Sequence, residues 1–229
     1  MTPGCKGWNV AKKYLRVPEL IVGFDTETTG LDVASERAIS YGFCAYRYGK
    51  LEWQDQFYVL PDRPIAPGAQ RVHGLSIEAL EAKRVIHEVL SVEGGLVRAV
   101  EVLRQFQQQG AVIVGANVVR FDLEMLRRSY QSVLGKSLAD DFFDLSLLPV
   151  IDVIEHDLII EPSRELRPRR GLEQLCHFYG VEPGGHEALG DARATVEVFL
   201  EQVIRNNHGQ VSLELEVPSG EMAPVVETR

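Results

Sequence analysis

The chain has 229 residues, 45% of them hydrophobic and 25% charged, with a formal net charge of −9; that is enough chain for one good-sized core and the composition of an ordinary globular protein. No apolar run approaches the roughly 18 to 20 residues that span a bilayer, and the first twenty residues contain no apolar signal core, so a cytoplasmic protein without a membrane partner is expected. The negative charge excludes a broad basic surface for nucleic acid, and a polyanionic ligand here would need bound divalent metals to reverse the local field.

A lead segment, residues 1–18, precedes the first apolar run, where Leu20 to Asp25 reads as a buried strand. Ala38 to Tyr48 alternates like a second strand, Gly49-Lys50 is the expected hairpin turn, and Leu51, Trp53, Phe57 and Val59 mark one face of a third. "LPDRPIAPGAQRVHG" then reads as a Pro/Gly-rich loop. Beyond it the period becomes helical. Leu96, Val100, Leu103 and Phe106 form one stripe, "AVIVG" at 111 to 115 is a short buried strand, and Phe121 to Val133 is helical again. Leu172, Leu175, Cys176 and Tyr179 make another stripe that ends at Gly180, and Ala188, Ala192, Val196, Phe199 and Val203 a last long helix that stops near "NNHG". The order β-β-β-α-β-α-α-α predicts an α/β domain over 19–207, with a three-stranded antiparallel meander continued by a parallel strand in a mixed sheet flanked by helices, followed by a tail over 208–229. Cys5, Cys44 and Cys176 are widely spaced and form no CxxC pair, which argues against a disulfide framework; Cys44 and Cys176 are expected as small core residues.

Three places concentrate chemistry. In "FDTETTG", strand alternation sends Asp25 and Glu27 to the same side, immediately after a buried run, where open α/β sheets place their ligands; a lone DxE also reads as a strand end with solvated acids. In "GANVVRFDLEML", Asp122 starts a helix, where a negative charge is favourable in its own right, and Asn117 is equally a residue that satisfies a loop backbone. In "PGGHEALGDARATVEVFL", His186 lies in a loop that leads into a helix and Asp191 in its first turns, at the edge of the apolar stripe with no lysine or arginine obviously placed to pair with it. Four carboxylates, Asp25, Glu27, Asp122 and Asp191, form a hard oxygen donor set that suits Mg²⁺ or Mn²⁺ rather than zinc, two ions being the arrangement used for displacement at phosphorus. His186 has the ordinary pKa, about 6.5, of a group able to take a proton from water.

Together and in this order, "FDTETTG", "NVVRFD" and "HEALGDA" resemble the three exonuclease motifs of the DEDD superfamily, and His186, Ala188 and Asp191 the HxAxxD form of its histidine subgroup; "RVHGLSIEAL" at 71 to 80 is similar to the segment between the first two motifs of the proofreading ε subunits of bacterial DNA polymerase III and their relatives. The resemblance implies an RNase H-like fold and 3′→5′ hydrolysis of nucleic acid to nucleoside 5′-monophosphates. It implies that Asp25 bridges two metals, that Glu27 and Asp191 help hold the nucleophile-side ion, that Asp122 holds the other, that His186 is the general base, and that Thr26, Thr28 and Leu31 lie against the terminal nucleotide, with Asn117 beside them. Ala116 stands where many relatives carry histidine, and Asn117 precedes Asp122 by five residues rather than four, a spacing that some polymerase-linked exonuclease domains share. The wording "DTETTG" is closer to the DNA proofreading branch than to the oligoribonuclease branch, so single-stranded or frayed DNA 3′ ends are the expected substrate and a DNA polymerase subunit a candidate partner; an RNase T-like exoribonuclease and a non-catalytic polymerase-bound module are the alternatives. Asp144 and Asp152 are further acids open to confusion with site residues. Arg167, Arg169 and Arg170 read as a solvated loop or as phosphate contacts, and Gln210–Leu215, "QVSLEL", resembles a sliding-clamp-binding peptide but reads equally as plain tail.

Overall fold

The computed structural model describes residues 16–141, 143–161 and 171–207. Leu20–Thr28 (β1) is a central strand, covered on both faces, which explains an apolar run without alternation. It extends three residues past Asp25, so the paired acids lie within the strand rather than beyond its end. Ala38–Arg47 (β2) pairs with it antiparallel, and Lys50–Val59 (β3) follows through a two-residue turn. That turn is Tyr48-Gly49, one position before the expected Gly49-Lys50: both turn residues take left-handed φ, 49° and 74°, while Lys50 already pairs with Arg47. Leu51 and Trp53 keep 39% and 38% of their surface because the first half of β3 is a sheet edge, with the Trp53 ring against Phe106 at 5.2 Å.

The expected loop over 60–74 is half helix. Pro67–His73 (α1) starts with proline in its first turn and ends at Gly74, whose left-handed φ of 71° closes it, so these two residues act as start and stop signals rather than as coil formers. Ile77–Lys83 (α2), Val89–Leu90 (β4) and Val92–Gln108 (α3) come next; the Ser91 hydroxyl accepts the Gly94 N–H at 3.1 Å and begins α3. Val112–Gly115 (β5) leads to Asp122–Leu134 (α4). Two 3-10 turns then precede Val150–Asp152 (β6) and Val153–Ile160 (α5), which occupy a stretch with no predicted element; Leu172–Tyr179 (α6) and Ala188–Asn206 (α7) complete the fold.

The six strands lie in the order β4-β3-β2-β1-β5-β6, with β5 parallel to β1 and β6 parallel to β5. This is the mixed sheet flanked by helices that the sequence predicts, longer by one short strand at each edge. On one face Val22, Phe24, Phe43 and Phe57 pack under α3 and α4, with the Phe24 and Phe43 rings stacked at 4.8 Å. On the other, Ile21, Cys44 and Val114 meet Leu175, Cys176, Val196 and Phe199. Cys44 and Cys176 are buried free thiols. Among the described residues, no helix is long and apolar enough to cross a membrane.

The position of α7 is set by backbone contact. A Cβ on Gly42 of β2 would stand 2.2 Å from the carbonyl carbon of Ala188, and one on Gly23 of β1 2.4 Å from the carbonyl oxygen of Ala192. Only glycine permits so close an approach. The first turns of α7 therefore lie directly on the two strands.

Candidate active site

Asp25 and Glu27 share the face of β1 that carries Gly23 and looks toward α7, while Asp25 pairs in register with Gly42. With α7 seated on those glycines, Asp191 in its first turn comes alongside both acids. Carboxylate oxygens of Asp25, Glu27 and Asp191 lie within 4.8 Å of one another. Asp122 arrives from the other side, as the first residue of α4. It does not cap that helix: the N-cap is Phe121, and the buried Asp122 carboxylate accepts the Thr26 hydroxyl at 2.6 Å.

All four carboxyls are raised, chiefly by burial. Burial, then the charges of Asp122, Asp191 and Glu27, hold the Asp25 carboxyl well above the usual carboxylate range. Burial, with Asp191, Asp122 and Glu187, pushes Glu27 up to about 8. Asp122 is pushed up to about 7 by burial, against the Thr26 hydrogen bond that favours its ionised form. Burial also raises Asp191, offset in part by His186. Among the described residues no lysine or arginine pairs with any of the four; the nearest basic group is His186, with Nδ1 at 4.0 Å from Asp191 Oδ2. Clustered hard oxygen donors without a basic partner are a donor set that fits divalent cations.

His186 sits in the loop before α7 with its side chain 55% exposed, in line with expectation. Other expected residues fare differently. Thr26 serves Asp122, whereas the Thr28 hydroxyl is buried and donates to the Gly30 carbonyl at 2.7 Å, so its side chain is turned into its own turn. Leu31 is 85% exposed. Asn117 is exposed, holds a left-handed φ of 59°, and its carbonyl accepts the Phe121 N–H at 3.0 Å, a backbone role that fits the loop-satisfying alternative. Asp144 and Asp152 cap the turns that follow them, accepting the Ser146 and Ile154 amides at 2.9 and 3.0 Å. Arg167, Arg169, Arg170 and Gln210–Leu215 lie outside the described residues.

Two residues near the acids were not singled out in the sequence. His73 Nδ1 accepts the Leu75 N–H at 3.0 Å, which leaves Nε2–H to donate to the Thr28 carbonyl at 3.1 Å. Ala66 N–H donates to Thr29 O at 2.8 Å, so α1, which buries no side chain, is tied at both ends to the carbonyls of Thr28 and Thr29, where β1 finishes. A histidine between a proline-started helix and glycine was the available signal. Glu187 adds charge beside Glu27; its adjacency to His186 was the only hint.

A family model described as "Exonuclease" (RNase T) matches residues 22–199. The chain is 30% identical over 187 residues to the "DNA polymerase III subunit epsilon-like protein" of Rhodobacter capsulatus, covering 78% of this chain and 23% of that protein. It is 29% identical over 182 residues to the "DNA polymerase III subunit epsilon" of Rickettsia conorii, covering 77% of this chain and 70% of that one. It spans only 11% of the similar "DNA polymerase III PolC-type" of Thermotoga petrophila. In fold it is similar to E. coli exonuclease I in complex with a dT13 oligonucleotide, with a TM-score of 0.60 at 19% identity over 82% of this chain and 41% of that one. Exonuclease I from Methylocaldum szegediense gives a TM-score of 0.63 at 21% identity, over 83% and 41%.

Proposed function

Because the chain belongs to the exonuclease family, we propose that it removes nucleotides from DNA 3′ ends, releasing nucleoside 5′-monophosphates in proofreading or repair. The observation that carries this reading is the meeting of Asp25, Glu27 and Asp191, from strands and helix far apart in sequence, with Asp122 close enough to raise the first two. Asp25, Glu27 and Asp191 would hold one divalent cation, Mg²⁺ or Mn²⁺, with Asp25 shared toward a second on Asp122. When bound, such ions neutralise charge on the phosphate oxygens and make a coordinated water more acidic. His186 takes the proton from the water that attacks the terminal phosphodiester; the P–O bond to the 3′ oxygen of the preceding nucleotide breaks, that oxygen takes a proton from solvent water, and His186 returns its own proton to solvent. Thr26 favours the ionised form of Asp122 and orients its carboxylate. Thr28, through its backbone, and Leu31 line the approach of the terminal nucleotide, with Asn117 on the opposing loop.

DNA is preferred over RNA on two grounds: the wording of "DTETTG", and relatives whose names are those of DNA polymerase III subunits. A polymerase subunit is the proposed partner on the same ground, with residues 19–207 as the catalytic domain, a cytoplasmic location, and Gln210–Leu215 as a candidate clamp-binding peptide. A non-catalytic module is disfavoured, because acids that repel one another in a buried cluster serve no scaffold.

The test is digestion of 3′-labelled single-stranded DNA, a mispaired primer-template and an RNA oligomer in Mg²⁺, Mn²⁺ or chelator. Shortening of both DNAs from the 3′ end with either metal, and none in chelator, is expected. Activity that persists in chelator overturns the metal reading, and faster digestion of RNA overturns the substrate.

A further inference from the structure

His186 is difficult to hold still by ordinary means. Its side chain is 55% exposed, it precedes α7 rather than belonging to it, and both it and Gly185 take left-handed φ, 58° and 76°. Such backbone persists in a non-glycine residue where the surroundings over-determine it. Here the surroundings are main chain. A Cβ on Gly184 would stand 2.2 Å from the Asp191 amide nitrogen and 2.3 Å from its Oδ1, and one on Gly190 2.4 Å from the Gly184 carbonyl oxygen. The two glycines thus lie backbone on backbone, with the loop seated in the first turn of α7. On the opposite side of that turn, Ala188 rests on Gly42. A glycine within a helix costs about 1 kcal/mol relative to alanine, so helix propensity does not account for Gly190; the contact with Gly184 does.

We infer that Gly184 and Gly190 form a clasp that positions the His186 imidazole over the acid cluster, so that His186 and Asp191 are placed as one unit. Gly184 and Gly190 are the positioning residues, and the inference rests on the reading of His186 as general base. It predicts that shifting the loop by even about 1 Å costs roughly 10- to 100-fold in rate. Alanine at position 190 should supply that shift while favouring the helix itself.

The experiment is a double-mutant cycle on single-stranded DNA with saturating Mg²⁺. Gly190→Ala should lower kcat roughly 10- to 100-fold with KM within about twofold and a melting temperature within a few degrees of the unaltered protein's, the gain in helix propensity offsetting the methyl contact with Gly184. In a His186→Gln background the same substitution should cost nothing further, because the group it misplaces is already gone. Full additivity of the two losses overturns the clasp while leaving the general base intact; a His186→Gln protein with undiminished kcat overturns the general base itself. If Gly190→Ala lowers the melting temperature, Gly185→Val supplies the second arm. A Cβ there meets nothing within 4 Å, but the φ of 76° is one that a β-branched residue does not hold, so the substitution acts on the loop backbone rather than on α7. It too must be silent beside His186→Gln, and independent loss there also overturns the clasp.

Discussion

Burial holds the Asp25 carboxyl in its protonated form and three neighbouring carboxylates add to that effect, so this group gives up its proton far less readily than an ordinary aspartate. The metal-free protein therefore carries a local cost that its function requires. Asp25→Asn keeps the shape and removes the charge. It should abolish nuclease activity, by at least about 1000-fold given that residues of one catalytic unit fail together, yet raise the melting temperature in chelator by a few degrees, roughly 2–4 °C per kcal/mol relieved. Calorimetry in EDTA set beside the DNA digestion separates the two effects, and an asparagine variant that melts lower than the parent in EDTA would show that the buried, crowded Asp25 carboxyl carries no such cost. Thr26 acts in the opposite sense one residue away, since its hydroxyl is the largest of the hydrogen bonds that favour an ionised Asp122.

Among the elements, α7 does most to assemble the site, and it does so through the absence of side chains. Gly42→Ala places a methyl group against the Ala188 backbone. Overpacking of this kind costs about 1–3 kcal/mol, a fall in melting temperature of roughly 2–12 °C for a chain of this size, and it should lower nuclease activity more than tenfold by moving Asp191 away from Asp25. Unchanged melting and activity would mean that α7 is not seated on β2 as described. Long elements with a clear period were legible in the sequence: α3 from Leu96, Val100 and Leu103, α7 from Ala192, Val196 and Phe199. Short or aperiodic ones were not. β4 and β6 have two and three residues, too few to alternate, and α5, "VIEHDLII", has no apolar stripe to read. The acids were legible because each follows a readable buried run or stands in the first turn of a helix. Their supports were not, since the Thr26–Asp122 bond and the Gly42–Ala188 contact join segments 96 and 146 residues apart.

For the whole molecule, the raised carboxyls make stability depend on pH in a direction opposite to that of a protein held by ordinary salt bridges. Glu27 and Asp122 bind protons up to about 8 and about 7 when folded, whereas in the unfolded chain they lose them near the usual carboxylate values. Between those limits the folded state holds protons that the unfolded state has released, so stability is full below about pH 4 and is lost as pH rises toward 8. Melting in chelator should accordingly fall from pH 5 to pH 8 through these groups. Mg²⁺ or Mn²⁺ should raise the melting temperature most at pH 8 and least at pH 5, with protons released on binding. A metal-induced rise that is larger at pH 5 would exclude the acid cluster as its origin. One further consequence follows from the length of α7. Nineteen residues of helix span roughly 28 Å, so the chain passes Asn207 at the pole opposite the acids. The helix is thus a strut whose first end is committed to the acid cluster and whose far end stands clear of it.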